Sequence, residues 1–307
     1  MVRPLHIGVQ LPEVERRVPW PELLSMARTA EAVGLDSLWV GDHLLYDLPD
    51  GSVRGPWEVW TSLSALAAAT ERITIGPLVA SLGFHDPAML AKMAATVDAV
   101  SGGRLVVGVG AGWNEREYRA FGLPFDHRVD RFEESFHLVR RLLASETVTH
   151  AGRFSTLDRC VIDPPAAWPG APPLMVGSIG PRMLGITLPH VWGWNVWWSQ
   201  FGNTAADLAP VVDAVNRRAV DVGRDPSTLV ATAAVYVQAP GGRGRAMGDL
   251  ADEGIAPIRG TASEVAAALA AFAEVGVHHL QVVLDPITEA AIEWLGEVLV
   301  ALDASAH

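Results

Sequence analysis

Short apolar runs alternate with amphipathic stretches along nearly the whole chain. HIGVQLP (6–12), SLWVG (37–41), ITIGPLVA (73–80), RLVVGVG (104–110), PLMVGS (173–178), VWGWNVW (191–197), VATAAVYVQ (230–238) and HLQVVLDP (279–286) are short, rich in β-branched residues and bounded by Gly, Pro or Asp. That pattern predicts strands buried on both faces. Between them the period lengthens to that of a helix. PWPELLSMARTAEAVG (19–34) has proline near its start and Gly34 as its stop. Asp86 caps a segment with Pro87 in its first turn, and Leu90, Met93, Ala94, Val97 and Val100 recur at helical spacing until Ser-Gly-Gly ends it. Further helices are expected over 128–144, over 204–222 with Leu208, Val211, Val212, Val215 and Ala219 on one face, and from the Thr261/Glu264 capping box to Gly276. The polar segment GRFSTLDRC predicts a small hairpin, and GGRGRAMGDL a mobile loop.

Eight strand-helix units predict an α/β fold, a (β/α)8 TIM barrel with insertions after strand 4 and strand 7, as one domain over 1–307. A doubly wound sheet more often has fewer strands, and no Pro-, Gly- or Ser-rich linker divides the chain. Barrels of this kind gather function where strands end. Read in order, those ends are Gln10, then Asp42-His43, then Leu78 to Ser81, then Gly110-Ala111-Gly112-Trp113-Asn114, then Gly177 to Gly180, then Trp194-Asn195. Two titratable groups side by side at the end of SLWVG stabilise nothing by themselves, because a buried charge without a partner is costly. A histidine there serves either to hydrogen-bond a loop or, with an ordinary pKa near 6.5, to move a proton.

Composition narrows the partners. Of 307 residues, half are hydrophobic and 19% charged, a globular composition with no tract long enough to span a membrane and no secretory leader. The expected location is cytoplasmic. A net charge of −12 disfavours nucleic acid and anionic membranes. An anionic cofactor therefore needs a local arginine patch or backbone N–H groups, since Lys92 is the sole lysine. Cys160, the one cysteine, makes no internal disulfide, and no metal-ligand spacing or G-x-S-x-G elbow is present. GVGAGW spaces its glycines G-x-G-x-G after the fourth strand, which is a poor dinucleotide fingerprint. GSIGPR, between a strand and a helix start, fits a phosphate loop better: Ser178, Ile179 and Gly180 offer N–H groups and Arg182 charge, although a plain tight turn fits too. Of the tryptophans Trp57, Trp60, Trp113, Trp194, Trp197 and Trp198, at least half are expected in the core. The others would line an apolar substrate pocket.

GLDSLWVGDHL, AMLAKMAATVDAVSGGRLVVGVGAGWNEREYRAFG, the GRDPST turn and HLQVVLDP together resemble the bacterial luciferase-like monooxygenase superfamily, and within it the oxidoreductases that use the deazaflavin coenzyme F420. The similarity runs through nearly the whole chain. It implies a TIM barrel with the coenzyme ring in its mouth. Asp42 would meet the polar edge of the ring and His43 would stand by the carbon that exchanges hydride. Leu78-Val79 would form a non-prolyl cis peptide under the ring, Gly110, Ala111 and Gly112 would turn against its edge, Gly177 to Gly180 with Arg182 would take the phosphate, and Gln10 would complete the cofactor set. Trp57, Trp113, Asn114 and Trp194 are the residues expected at the substrate. Three departures stand out from the sugar-phosphate dehydrogenase branch, in which a glutamate follows the GxGxG turn, a tryptophan follows the histidine by four, and lysines grip a phosphate. Trp113 and Asp47 hold the first two places here, and the lone Lys92 lies in a helix. Trp192 also replaces an aspartate common among relatives, without an evident role. The resemblance implies hydride transfer between F420 and a small, largely apolar organic molecule, with an FMN-dependent monooxygenase or a non-catalytic flavin-binding protein as alternatives, and often a homodimer.

Overall fold

The computed structural model describes residues 5–244 and 254–305. The eight expected runs are the eight barrel strands: β1 (His6–Gln10), β2 (Ser37–Val40), β3 (Thr74–Pro77), β4 (Val107–Gly110), β5 (Leu174–Gly177), β6 (Gly193–Trp197), β7 (Val230–Gln238) and β8 (His279–Asp285). All their pairings are parallel, in the order β3-β2-β1-β8-β7-β6-β5-β4, and beyond β4 lies the short strand Ala80–Ser81. That last piece is β3 resuming after an interruption at Leu78-Val79. Since Ile75 donates to Arg104 O at 3.0 Å and its carbonyl accepts from Val106 N at 2.9 Å, β3 also meets the approach to β4, and the ring of strands closes.

The helices are α1 (Trp20–Ala32), α2 (Val59–Ala69), α3 (Pro87–Ser101), α4 (Glu115–Ala120), α5 (Arg128–Leu143), α6 (Pro181–Thr187), α7 (Ala205–Asp221), α8 (Ala262–Glu274) and α9 (Glu289–Ser305). Their starts follow the local chemistry. Asp86 accepts from Ala88 N and Met89 N at the head of α3, and at α8 Thr261 and Glu264 form the reciprocal pair, with Thr261 N donating to Glu264 Oε2 at 2.7 Å. One expectation shifts: Leu90, Ala94 and Val97 of α3 are buried, but Val100 is exposed, because about 100° of rotation per residue has carried it past the core-facing stripe.

The insertion after β4 holds α4, α5 and the hairpin Val148–Ala151/Thr156–Cys160, and the one after β7 leads to α8. GGRGRAMGDL lies outside the described residues from position 245 onward. A two-residue ladder, Tyr46–Asp47 with Val53–Arg54, was not expected. It folds the segment after β2 over the rim, and Arg54 fastens it by donating to Val14 O at 2.7 Å and Glu15 O at 2.8 Å. At the opposite, N-terminal end of the barrel, Ser37 Oγ joins His279 Nε2 at 2.6 Å and accepts from Trp39 Nε1 at 2.7 Å. Burial pushes the His279 imidazole down to about 3, with nearby His6 adding to the effect against the opposing Asp36.

Candidate active site

Chain reversal after β2 delivers Asp42 and His43 to the rim with their side chains in different hands. Asp42 is buried and accepts from Ser81 N at 2.8 Å, while His85 Nε2 lies 3.0 Å from the same carboxylate oxygen. His43 turns to α4. Its Nδ1 meets Glu117 Oε1 at 2.9 Å, and the other Glu117 oxygen accepts from Leu44 N and Leu45 N. Burying that carboxylate, 1% exposed, is tolerable only because each oxygen has a donor. Asn114 sets the helix that carries it: Oδ1 caps α4 by accepting from Arg116 N at 3.2 Å, and Nδ2 donates to Leu45 O at 3.3 Å.

With Nδ1 engaged, Nε2 is the His43 nitrogen left for chemistry. Burial disfavours its imidazolium, but the hydrogen bond to Glu117 and the charges of Glu13, Glu117 and Asp42 outweigh burial and hold the pKa above its ordinary value. Tyr46 and Trp113 flank the ring at centroid distances of 4.8 and 5.7 Å.

The Leu78-Val79 peptide is cis, as the resemblance implied. The glycines beside it have a common purpose. A Cβ on Gly108 would stand 2.9 Å from Val79 Cγ1, one on Gly110 2.9 Å from Val79 Cγ2, and one on Gly177 2.7 Å from Val79 Cγ2. The Val79 side chain thus sits in a niche of three glycines from β4 and β5. Gly112 has a different constraint: its φ is +72° and a Cβ would lie 2.1 Å from the Tyr118 hydroxyl.

These elements bound a cavity of about 440 Å3. Of the residues singled out from sequence, Asp42, His43, Leu78, Val79, Gly110, Ala111, Gly112, Trp113, Gly177 and Ser178 line it. Others stand elsewhere, each for a local reason. Gln10 is buried beneath, donating to Glu13 Oε1 at 2.5 Å. Side chains alternate along a strand, so with Asn195 turned inward to Thr232 and Gln281, Trp194 points out to the helices and is 1% exposed. Trp57 is an exposed rim residue with its Nε1 donating to Val18 O at 3.0 Å. Asn114 caps α4 rather than facing the cavity. In the 177–180 loop, Gly180 N already donates to Ser178 Oγ at 3.2 Å, and Ile179 lies outside the lining. Arg182 faces outward, donating to Asp130 Oδ1 at 2.5 Å and Glu133 Oε2 at 3.1 Å.

Ser81 and Asn195, read as strand ends, and Trp197 and Trp198, read among the tryptophans from which a pocket wall was expected, also line the cavity, whereas Glu13, Tyr46, Phe84, Glu117, Met183, Ser199 and Gln200 line it without having been singled out. Glu13, three residues past the end of β1, was the most accessible signal: a carboxylate at a barrel mouth. The described lining includes three carboxylates and no lysine or arginine. No group of three His, Cys, Asp or Glu among the described residues is placed to hold a metal, and no described helix is long and apolar enough to cross a membrane.

Comparison with known proteins gives the site a context. The family model for luciferase-like monooxygenases matches residues 5–241. A phthiodiolone/phenolphthiodiolone dimycocerosates ketoreductase of Mycobacterium tuberculosis is 30% identical over 240 residues, which cover 72% of this chain and 62% of that protein. The chain therefore spans somewhat under two thirds of that relative's length. An F420-dependent glucose-6-phosphate dehydrogenase of Amycolatopsis mediterranei is 37% identical over 150 residues, 47% of this chain and 44% of its own. Among solved structures, an F420-dependent secondary alcohol dehydrogenase in complex with an F420-acetone adduct superimposes with a TM-score of 0.81 at 22% identity, covering 97% of this chain and 99% of that one. This last likeness is one of fold.

Proposed function

This chain belongs to the luciferase-like monooxygenase family, and from that premise we propose that it transfers hydride between coenzyme F420 and a small, uncharged, largely apolar ketone or alcohol, with His43 moving the accompanying proton. The observation that carries the reading is the Glu117–His43 pair at the wall of a cavity lined by Trp113, Trp197, Trp198, Tyr46 and Phe84 without a lysine or arginine. A phosphorylated substrate meets no lysine or arginine among the described lining residues, whereas a neutral apolar one finds aromatic walls. The names of the relatives, a ketoreductase and two F420-dependent dehydrogenases, support the same class of reaction.

The residues present suit a flat tricyclic ring. Gly110, Gly112 and Gly177 contribute only backbone to the lining, Gly110 and Gly177 lie against the Val79 side chain, and Asp42 lines one side. Asp42, Leu78, Val79, Gly110, Ala111, Gly112, Gly177 and Ser178 would hold the coenzyme, which when bound supplies the hydride acceptor or donor. The proton is the protein's task. Glu117 fixes the His43 ring through Nδ1 and directs Nε2 to the substrate oxygen, where it gives a proton as a ketone becomes an alcohol and takes one in the reverse direction. Because the His43 pKa is raised, the protonated form is favoured, and this is the form that ketone reduction requires.

Titrating the purified protein with F420, FMN and FAD tests the cofactor. F420 is expected to bind most tightly. Tighter FMN binding, with the reduced complex reoxidised by oxygen, would replace this reading with that of a flavin monooxygenase.

A further inference from the structure

Trp192 found no role in the catalytic mouth, and the structure puts it at the other end of the barrel. It precedes β6, and with Pro169, Pro172 and Pro173 before β5, His190 after α6 and Arg224 after α7 it lines a second cleft of about 490 Å3. The wall nearest α5 is closed by Arg140 and Ala144.

The charge in this cleft is unusual for an acidic chain. The described lining has two arginines and a histidine and no carboxylate. Several arginines elsewhere pair with carboxylates, Arg16 with Glu22, Arg116 with Asp47, Arg131 with Asp126, Arg141 with Glu146 and Arg182 with Asp130, whereas others such as Arg54 and Arg104 bond only neutral oxygens. Arg140 has no such partner among the described residues, and its Nε is buried without a hydrogen bond. Arg224 reaches only neutral oxygens, those of Thr228 at 2.7 and 3.2 Å and Val191 O at 3.5 Å. Asp225, whose charge Arg224 feels, accepts from the N–H and hydroxyl of Ser227, and Glu133 is paired with Arg182. Burial, then Arg140, then His137 and then Arg224 depress the pKa of His190, so both guanidinium groups act on that one ring. With no carboxylate in the described lining to compete for them, the two guanidinium groups favour an anion that enters the cleft.

We propose that this cleft binds a small organic anion, a carboxylate or a phosphate ester, whose charged oxygens are met by Arg140 and Arg224 and whose apolar body lies on Trp192 and the proline wall. The site is separate from the catalytic cavity and does not depend on the reaction assigned there.

Fluorine NMR of protein labelled with 5-fluorotryptophan reads the site directly, with the Trp192 resonance assigned by its loss in Trp192→Phe. The probes are benzoate and phenyl phosphate, one for each source of charge, with inorganic phosphate carrying charge alone and benzyl alcohol the ring alone. At least one aromatic anion should shift the Trp192 signal saturably, and the tighter of the two identifies the ligand class. Arg140→Gln and Arg224→Gln should each weaken it by about 10- to 100-fold, the range for a lost charged hydrogen bond, while Arg141→Gln changes nothing. Two arginine variants are used so that the result does not hang on the folding of one, and the Trp192 signal itself reports that the cleft is intact. No saturable shift with either anion, affinity unchanged from the unaltered protein in both arginine variants, or benzyl alcohol binding as well as the anions would overturn the proposal. Inorganic phosphate binding as tightly as phenyl phosphate would overturn the part given to the apolar wall.

Discussion

His43 and Glu117 are 74 positions apart in the chain yet form the contact on which the proposed proton transfer rests. This is why half of the pair was legible in the sequence and half was not. Asp42-His43 stands out locally, as two polar groups ending an apolar strand; Glu117 is one of several charged residues in EREYRA, and only the fold shows that it is the buried one. Glu117→Gln should remove the charge that holds the His43 pKa up while burial still pushes it down. The proton-donating form would then be lost at lower pH, so the high-pH limb of the pH-rate profile for ketone reduction should move to lower pH with little change in KM. An unmoved profile would mean that Glu117 only packs. Asp42→Ala, by contrast, is expected to loosen the coenzyme, because its carboxylate is held by Ser81 N and His85 at the cavity wall. At the far end of the barrel His279 tests the reverse sign. Its folded pKa, about 3, lies below the unfolded value, so its contribution to stability is complete above about pH 6.5 and is lost as pH falls towards 3. Unfolding free energies from denaturant titrations should decline over that window with a slope of up to about 1.4 kcal/mol per pH unit from this group, and His279→Gln should flatten the decline.

Among the elements, those with local signals were the ones read correctly. Proline, aspartate and capping-box starts depend on residues three or four apart, and α3 and α8 begin where those residues stand. The glycines of GVGAG were harder, because their reason lies across the sheet. Gly110 to Gly112 were read as a turn against a cofactor edge, whereas Gly108 and Gly110, with Gly177 from the next strand, form the niche that accepts Val79. The 177–180 loop shows the same limit: the sequence gives no hint that Gly180 N is already bonded to Ser178 or that Arg182 turns outward to Asp130. Gly177→Ala should destabilise the protein by about 1–3 kcal/mol through overpacking, and Val79→Ala in the same chain should relieve much of that loss. Urea denaturation of the two single variants and the double variant measures this coupling, and strict additivity would show that the niche is not tight. Gly180 makes a useful contrast, since a Cβ there meets nothing closer than Ser178 Oγ at 3.5 Å.

At the scale of the whole molecule, the alternation of eight apolar runs with helical stretches was enough to give the barrel and its two insertions, because each strand is buried on both faces and so reads as a continuous apolar run. The rim was less legible. The Tyr46–Asp47 ladder is only two residues long, and it is the rim that sets which polar groups share a cavity. The proposed division of labour also follows the barrel: proton transfer is assigned to the C-terminal mouth, and the buried histidine and the arginine cleft lie at the N-terminal end. The most direct test of the catalytic account is single-turnover oxidation of reduced F420 by a panel of small neutral ketones, measured with the unaltered protein and with His43→Ala, alongside coenzyme affinity and melting temperature. The account predicts turnover with at least one ketone, a rate about 10²–10⁴-fold lower in His43→Ala, and coenzyme affinity little changed. A folded His43→Ala protein that reduces the same ketone at the normal rate would contradict it.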